Sequence, residues 1–397
     1  VVERCQLLAA YTDQQGALTR TFLSSAMMQA RHCIAAWMSE AGLTVRFDDF
    51  GNVIGRREGL SPATLLLGSH LDTVVNAGRY DGQLGILCGI ELATIVADTP
   101  YSLEVIAFSE EEGVRFGMPF IGSRGFVGTL TPDMLQRRGE DGVSVERALL
   151  LTGMNPQARR ASMSPVPYLG YLEIHLEQGP ALEAMEQPIG IVSGIAAQKR
   201  LQVTVWGCAG HAGTTPMALR RDALAAAARM IGAIREFARP HPPLVATVGR
   251  LEVKPNVPNV IPSEVVFTID VRHPDDEALS EAVEALASVL TDVASRESVN
   301  MDIQTISHQG AVACDPGLVT ILRDAAPKAP VLASGAGHDA LALAECMPTA
   351  MIFTRCRAGL SHHPDEHVEE SDIAEALVAA ANFMHRLVDA PFHGATN

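Results

Sequence analysis

Short apolar runs that break off into clustered histidine and acid side chains constrain this chain more than any other feature. Thr64-Leu65-Leu66-Leu67-Gly68-Ser69-His70 reads as a buried strand, and so does Leu103-Glu104-Val105-Ile106-Ala107-Phe108. Residues 85–97, between them, read as a helix. Upstream, residues 21–41 carry helical spacing, with Met27, Ala30, Ile34 and Met38 on one face and Trp37 beside it. Strands alternating with helices predict a mixed, largely parallel sheet flanked by helices. Functional loops of such sheets gather at the carboxyl ends of the strands, where His70 and the residues after Phe108 stand.

Residues 198–308 follow a different pattern. Leu201, Val203 and Val205 alternate as a strand, residues 218–237 are Ala-rich and helical, and residues 244–253 form a strand. Val265, Phe267, Ile269 and Val271 alternate again, followed by a helix over 276–296 and a strand over 301–306. The order β-α-β-β-α-β is the ferredoxin-like split βαβ pattern. After it the α/β pattern returns, with helices near 316–326 and 373–387 around a strand at 349–353. The expected arrangement is an α/β catalytic domain of residues 1–197 and 309–397, interrupted by an α+β domain over 198–308.

Composition limits the partners. Of 397 residues 47% are hydrophobic, enough for such cores. Lys and Arg number 30 against 46 Asp and Glu, a formal charge of −16. So acidic a chain is a poor binder of a phosphate backbone, so no nucleic-acid partner is expected, whereas bound cations would offset part of the excess. The seven cysteines are scattered without a CxxC pair, which argues against a disulfide framework and fits a reducing cytoplasm. No apolar run approaches the roughly 20 residues of a membrane span, and Val1-Val2-Glu3-Arg4 does not open a secretory leader.

The chemistry lies in a few segments. His70-Leu71-Asp72 ends the first apolar strand, and Asp72, two residues on, can reach the His70 ring and fix its tautomer. Tyr80-Asp81-Gly82 follows in a Gly-flanked loop, Glu110-Glu111-Glu112 closes the second strand, His175 lies in a strand-like stretch, and His362 precedes His363-Pro364. Three adjacent acids after an apolar strand repel one another, and a divalent cation removes that penalty. Imidazole with carboxylate suits zinc, manganese, cobalt or nickel. Three His and two carboxylates fit a pair of ions with one carboxylate bridging.

These segments carry a resemblance. Gly68-Ser69-His70-Leu71-Asp72-Thr73, Tyr80-Asp81-Gly82, Glu111-Glu112-Gly113 and Gly210-His211-Ala212-Gly213 resemble the metallopeptidase-like amidohydrolases of the M20 type. Leu176-Glu177-Gln178-Gly179, His211-Ala212-Gly213-Thr214-Thr215-Pro216-Met217 and Ser334-Gly335-Ala336-Gly337-His338-Asp339-Ala340 are similar to the hydantoinase/carbamoylase branch, which holds N-carbamoyl-L-amino-acid hydrolases and allantoate amidohydrolases. The resemblance implies a zinc-exopeptidase-like catalytic domain, an inserted dimerisation or lid domain, and a homodimer. It implies one ion on His70, Asp81 and His175 and another on Asp81, Glu112 and His362. Glu111 matches the general base, leaving Glu110 ordinary, and His211, supplied by the partner subunit, matches the donor to the oxyanion. Gln178, Gln198, Asn259, Arg272, Gly335 and Ala336 match substrate-binding positions.

The residues also bear on the substrate. A guanidinium at a strand end, Arg272, can fork onto a carboxylate, and Asn259 can add an amide contact. The implied activity is release of ammonia and carbon dioxide from the ureido or carbamoyl group of a small carboxylate, allantoate or an N-carbamoyl-L-amino acid. Gly113-Val114-Arg115-Phe116 and Gly122-Ser123-Arg124 look slightly closer to allantoate enzymes. An M20 peptidase or aminoacylase would share the ions and the base, but Gln178 and Thr214-Thr215-Pro216 argue against it. Arg355 and Arg357 depart from the branch; they either alter selectivity or face solvent.

Overall fold

Four parallel strands, Tyr101–Phe108, Ser61–His70, Tyr168–Leu176 and Thr349–Thr354, lie side by side in that order. Tyr101–Phe108 and Thr349–Thr354 are buried at every residue, which is why they read as continuous apolar runs and not as alternating ones. Antiparallel strands extend the sheet on both sides. Val53–Arg57 and then Thr44–Phe47 follow Tyr101–Phe108, and Ile189–Ile195 follows Thr349–Thr354. The sheet is therefore mixed around a parallel centre. The short edge strands escaped the sequence reading because four or five residues give too little pattern.

The computed structural model describes residues 1–157 and 162–388. They divide into two units, one of Val1–Ser193, Cys314–Leu332 and Ala336–Asn397, the other of Gly194–Ala313 with Ala333–Gly335.

In the first unit the helix Ser25–Glu40 is capped by Ser24, whose side chain accepts from the Met27 amide. Its face of Met27, Ala30, Ile34 and Met38 is fully buried in one core with the helices Gln83–Ile95 and Glu370–Arg386. Gln83–Ile95 is apolar nearly all round. It packs on Ser61–His70, Tyr101–Phe108 and Tyr168–Leu176 and is itself covered by Val2–Leu8 and Glu370–Arg386. Arg355 makes two hydrogen bonds, 2.8 and 3.0 Å, to Asp372 of the last helix. Arg357 is exposed and pairs with Glu369 at 2.6 Å.

The second unit is a four-stranded antiparallel sheet in the order Asn300–Gln309, Ala197–Trp206, Glu264–His273, Val245–Lys254. Val265, Phe267, Ile269 and Val271 point into a core shared with the helices Ala223–Ala238 and Asp276–Arg296. The unit begins before residue 198 and ends after 308 because its entering and leaving segments pair with each other, Ile195 opposite Val312 and Gly194 opposite Ala313. None of the described helices is long and apolar enough to cross a membrane. All seven cysteines are free.

Ile34 has no solvent exposure. Ile34→Ala should cost about 2–5 kcal/mol in urea denaturation of the full chain; a loss under about 1 kcal/mol would show that this helix face is not part of the core.

Candidate metal centre

The parallel strands deliver their polar residues to one end of the sheet. His70 is the last residue of its strand, Ser109 to Glu112 continue from Phe108, and His175 is the penultimate residue of the strand Tyr168–Leu176. Asp81 comes from the loop that enters the helix Gln83–Ile95, and a carboxylate is favoured just ahead of a helix N-terminus. Gly82 in that loop has φ +68°, and a Cβ there would lie 2.4 Å from the His70 ring. Only glycine lets the Asp81 loop pass so close to the imidazole.

The imidazoles are oriented from behind. His70 Nδ1 lies 3.0 Å from the Asp72 main-chain carbonyl and 3.4 Å from Asp72 Oδ1. His175 Nδ1 lies 3.1 Å from the Leu176 carbonyl. With each Nδ1–H donating to a carbonyl, each Nε2 presents a lone pair. These two Nε2 atoms are 3.3 Å apart, and Asp81 Oδ1 is 3.4 Å from that of His175. Asp81 Oδ2 is 3.2 Å from His362 Nε2, which in turn is 3.5 Å from Glu112 Oε1. Glu112 Oε1 is buried without a hydrogen-bond partner among the described residues.

Asp72 does more than the sequence suggested. The strand ends at His70, so the chain turns, and the Asp72 carboxylate accepts the amides of Glu111 and Glu112 at 2.9 and 3.1 Å. It thereby fixes the acidic loop as well as the ring. Gln178 donates to Asp81 Oδ1 at 3.1 Å and to Ser361 Oγ at 3.3 Å. Gln178 and His362 both hold positive φ, +58° and +56°, a conformation that costs a non-glycine residue energy and persists where surroundings enforce it.

The electrostatics are those of a site short of positive charge. Burial, then the Asp81 charge, push Glu112 up to about 8. Glu111 and Glu110 lie well above the ordinary carboxyl range, burial being the main cause. Burial would raise Asp81 too, but His362, His175 and His70 outweigh it and hold it low. The hydrogen bond to Asp81 raises His362 to about 9, while burial takes His175 down to about 4. Converging lone pairs and carboxylates of this kind fit divalent cations of the zinc, manganese, cobalt or nickel type.

Four overlapping triads of donor atoms are close enough to hold an ion: His70–Asp81–His175, Asp81–Glu112–His362, His70–Glu111–Glu112 and Glu173–His175–His338. The sequence reading passed over several residues here. Neither His338 nor Glu173 is among the expected ligands, yet both are buried beside His175. Glu110 was taken as ordinary, but the strand carries that residue into the interior and leaves it with no exposure. Glu366 accepts the amides of Tyr80 and Asp81 at 2.8 and 3.0 Å and the Ser361 hydroxyl at 3.0 Å. An acid four residues after His362 was its only signal.

The other expected site residues, apart from Ala336, lie in the second unit in two groups. His211 is exposed, its Nδ1 accepts the Gly213 amide at 3.1 Å, and its strand pairs with the one that follows Asn259. The Asn259 carbonyl accepts from Ala212 at 3.0 Å. In the second group Arg272 donates through Nε and Nη2 to Asp270 and through Nη1 to the Gly335 carbonyl, and Gln198 donates to the same Asp270 at 2.7 Å. Asp270 was missed because an acid alternating with apolar residues reads as the solvated side of a strand. Ala336 falls in the first unit.

Residues 66–389 match the model of Peptidase family M20/M25/M40. The chain belongs to this family. It is 40% identical to the N-carbamoyl-L-amino-acid amidohydrolase of Pseudomonas sp. (strain NS671), over 89% of each chain. It is 38% identical to allantoate deiminase 1 of Glycine max, covering 97% of this chain and 89% of that one. A solved amidase of the hydantoinase/carbamoylase family from Burkholderia multivorans superimposes with a TM-score of 0.91 at 34% identity, over 98% of both chains.

Gly82→Ala should weaken divalent-metal binding by about tenfold or more, the scale seen when the support of a ligand is disturbed. Titration calorimetry on the metal-stripped protein measures it, and unchanged affinity would mean that the His70 ring can move aside.

Proposed function

We propose that this chain is a two-metal amidohydrolase that cleaves the ureido or carbamoyl amide of a small carboxylate, allantoate or an N-carbamoyl-L-amino acid, releasing ammonia and carbon dioxide. The observation that carries the reading is the pair of donor triads that share Asp81, His70–Asp81–His175 and Asp81–Glu112–His362, with Glu111 beside them. The names of the relatives supply the substrate class. When bound, two divalent cations would polarise the scissile carbonyl and acidify water. Glu111 takes the proton of the attacking water and hands it to the leaving nitrogen. Asp72 holds both the His70 ring and the Glu111 amide, so the base and the ligand set keep a fixed relation.

Substrate recognition falls to Arg272, Asn259, Gln198, Gln178, Gly335 and Ala336. A guanidinium has five N–H donors. Arg272 uses three on Asp270 and Gly335, which leaves two for a carboxylate. His211 stabilises the oxyanion. In this reading the protein is a cytoplasmic homodimer paired through the second unit, and His211 serves the partner's site. The exposed position of His211, away from the ligand-bearing unit in the chain, supports that assignment.

Asp81→Ala should lose both metals and all turnover, read by elemental analysis beside ammonia release from allantoate and carbamoyl amino acids. Glu111→Gln should keep both metals and lose at least about a hundredfold in kcat, since it removes a proton acceptor and not a ligand. Full metal content in Asp81→Ala, or normal turnover in Glu111→Gln, would reject the respective role. Hydrolysis of dipeptides or acetyl amino acids in preference to ureido compounds would reject the substrate class.

The dimer is tested by subunit mixing. Inactive His211→Ala and Glu111→Gln chains, once exchanged, should form heterodimers with one intact site and recover roughly half the activity per dimer. No recovery after confirmed exchange would place His211 in its own subunit's site.

A further inference from the structure

Arg20 is a large, charged residue with no exposure at all. Burial draws its pKa down to about 10 against the opposing charges of Asp72 and Asp13, so it remains a cation at neutral pH. Yet every hydrogen-bond acceptor it has is neutral. Nε donates to the Leu71 carbonyl at 2.8 Å, Nη2 to Gln83 Oε1 at 2.7 Å, and Nη1 to the carbonyls of Leu8 and Tyr11 at 3.0 and 3.2 Å. A buried cation without a carboxylate bonded to it is expensive. Structural packing alone would be served by an apolar side chain, so the acceptors it reaches are informative.

They bracket two acid-bearing loops. Leu71 lies between His70 and Asp72. The Arg20 main chain holds the far side of Asp72, its amide donating to Thr73 Oγ1 at 2.9 Å and its carbonyl accepting the Thr73 amide at 3.0 Å. On the other loop, the side chain of Gln83 donates through Nε2 to the Arg79 carbonyl, and its amide donates to the Asp81 carbonyl at 2.8 Å. Asp81 is thus enclosed between Arg79 and Gln83. The edge of one guanidinium, Nε and Nη2, spans from the first loop to the second. A lysine has a point charge and cannot hold two acceptors in fixed relation.

We propose that Arg20 is a positioning residue that fixes the separation of His70 and Asp72 from Asp81, and with it the geometry of the cations those residues hold. The proposal rests on the two-metal reading above. Its role is exerted through Leu71 and Gln83, not by contact with substrate.

The test uses the full chain loaded with cobalt(II), whose visible absorption reports ligand geometry. Arg20→Lys and Gln83→Met should each shift or broaden the visible band and lower kcat by tenfold or more with KM within about twofold. Ile34→Ala serves as a control for lost stability; its band and kcat should stay as in the unaltered protein. Arg20→Gly with added methylguanidinium should regain part of the lost kcat together with the cobalt band of the unaltered protein. If Arg20→Lys does not fold, Gln83→Met carries the test alone. Unaltered bands and kcat in Arg20→Lys and Gln83→Met, or the same changes in Ile34→Ala, would overturn the proposal. An unaltered protein that gives no cobalt band at all would overturn the two-metal reading, and the role of Arg20 with it.

Discussion

Negative charge gathered at the ends of two neighbouring parallel strands is the constraint that the rest of this fold serves. Asp72, Asp81, Glu110 and Glu111 are buried, and Glu112 nearly so. Two carboxylates 4 Å apart repel by about 4 kcal/mol at an effective dielectric of 20, so the five cannot all ionise unaided. The elevated pKa values of Glu110, Glu111 and Glu112 express that repulsion and the lost hydration together. The chain offsets part of it with His362, raised to about 9 by its hydrogen bond to Asp81, with the main-chain amides on Asp72, and with the buried guanidinium of Arg20. The remainder of the deficit is what a divalent cation relieves.

Much of this was legible because burial on both faces and a cluster of polar side chains at a strand end each leave a local mark. The uninterrupted runs ending at His70 and Phe108 announced parallel strands, and a polar residue directly after such a run has nowhere to be except the end of the sheet. The split βαβ order in residues 198–308 was legible for a similar reason: Val265, Phe267, Ile269 and Val271 alternate strictly because one face of their sheet is packed and the other is not. The antiparallel edge strands Thr44–Phe47 and Val53–Arg57 were not legible. Their pairing is decided by the neighbour they find, not by their own pattern.

The support of the site was the least legible part. Glu110 reads as an ordinary acid beside Glu111, and only the depth of the sheet shows that it is enclosed. Arg20 sits in Leu18-Thr19-Arg20-Thr21 with nothing in its spacing to distinguish it from a surface arginine. Its importance comes from four acceptors between 9 and 63 residues away in sequence. Ligands announce themselves by residue type, because few side chains can bind a metal. The residues that hold ligands in place can be of almost any polar type, so only the fold identifies them.

That difference explains where strain is found. Gln178 and His362 are held at positive φ, and Gly82 lets the Asp81 loop press against the His70 ring. Each belongs to a different loop, and each loop is tied to another: Gln178 to Asp81 and Ser361, Glu366 to Asp81 and Ser361, Gln83 to Arg20. A loop free to relax would let the like charges move apart. The cross-links prevent this, and the energy of keeping the carboxylates close is held in the fold before any ligand arrives. A divalent cation held by these donors would relieve that repulsion, so the crowding of the carboxylates and the readiness of the site for positive charge have one physical origin.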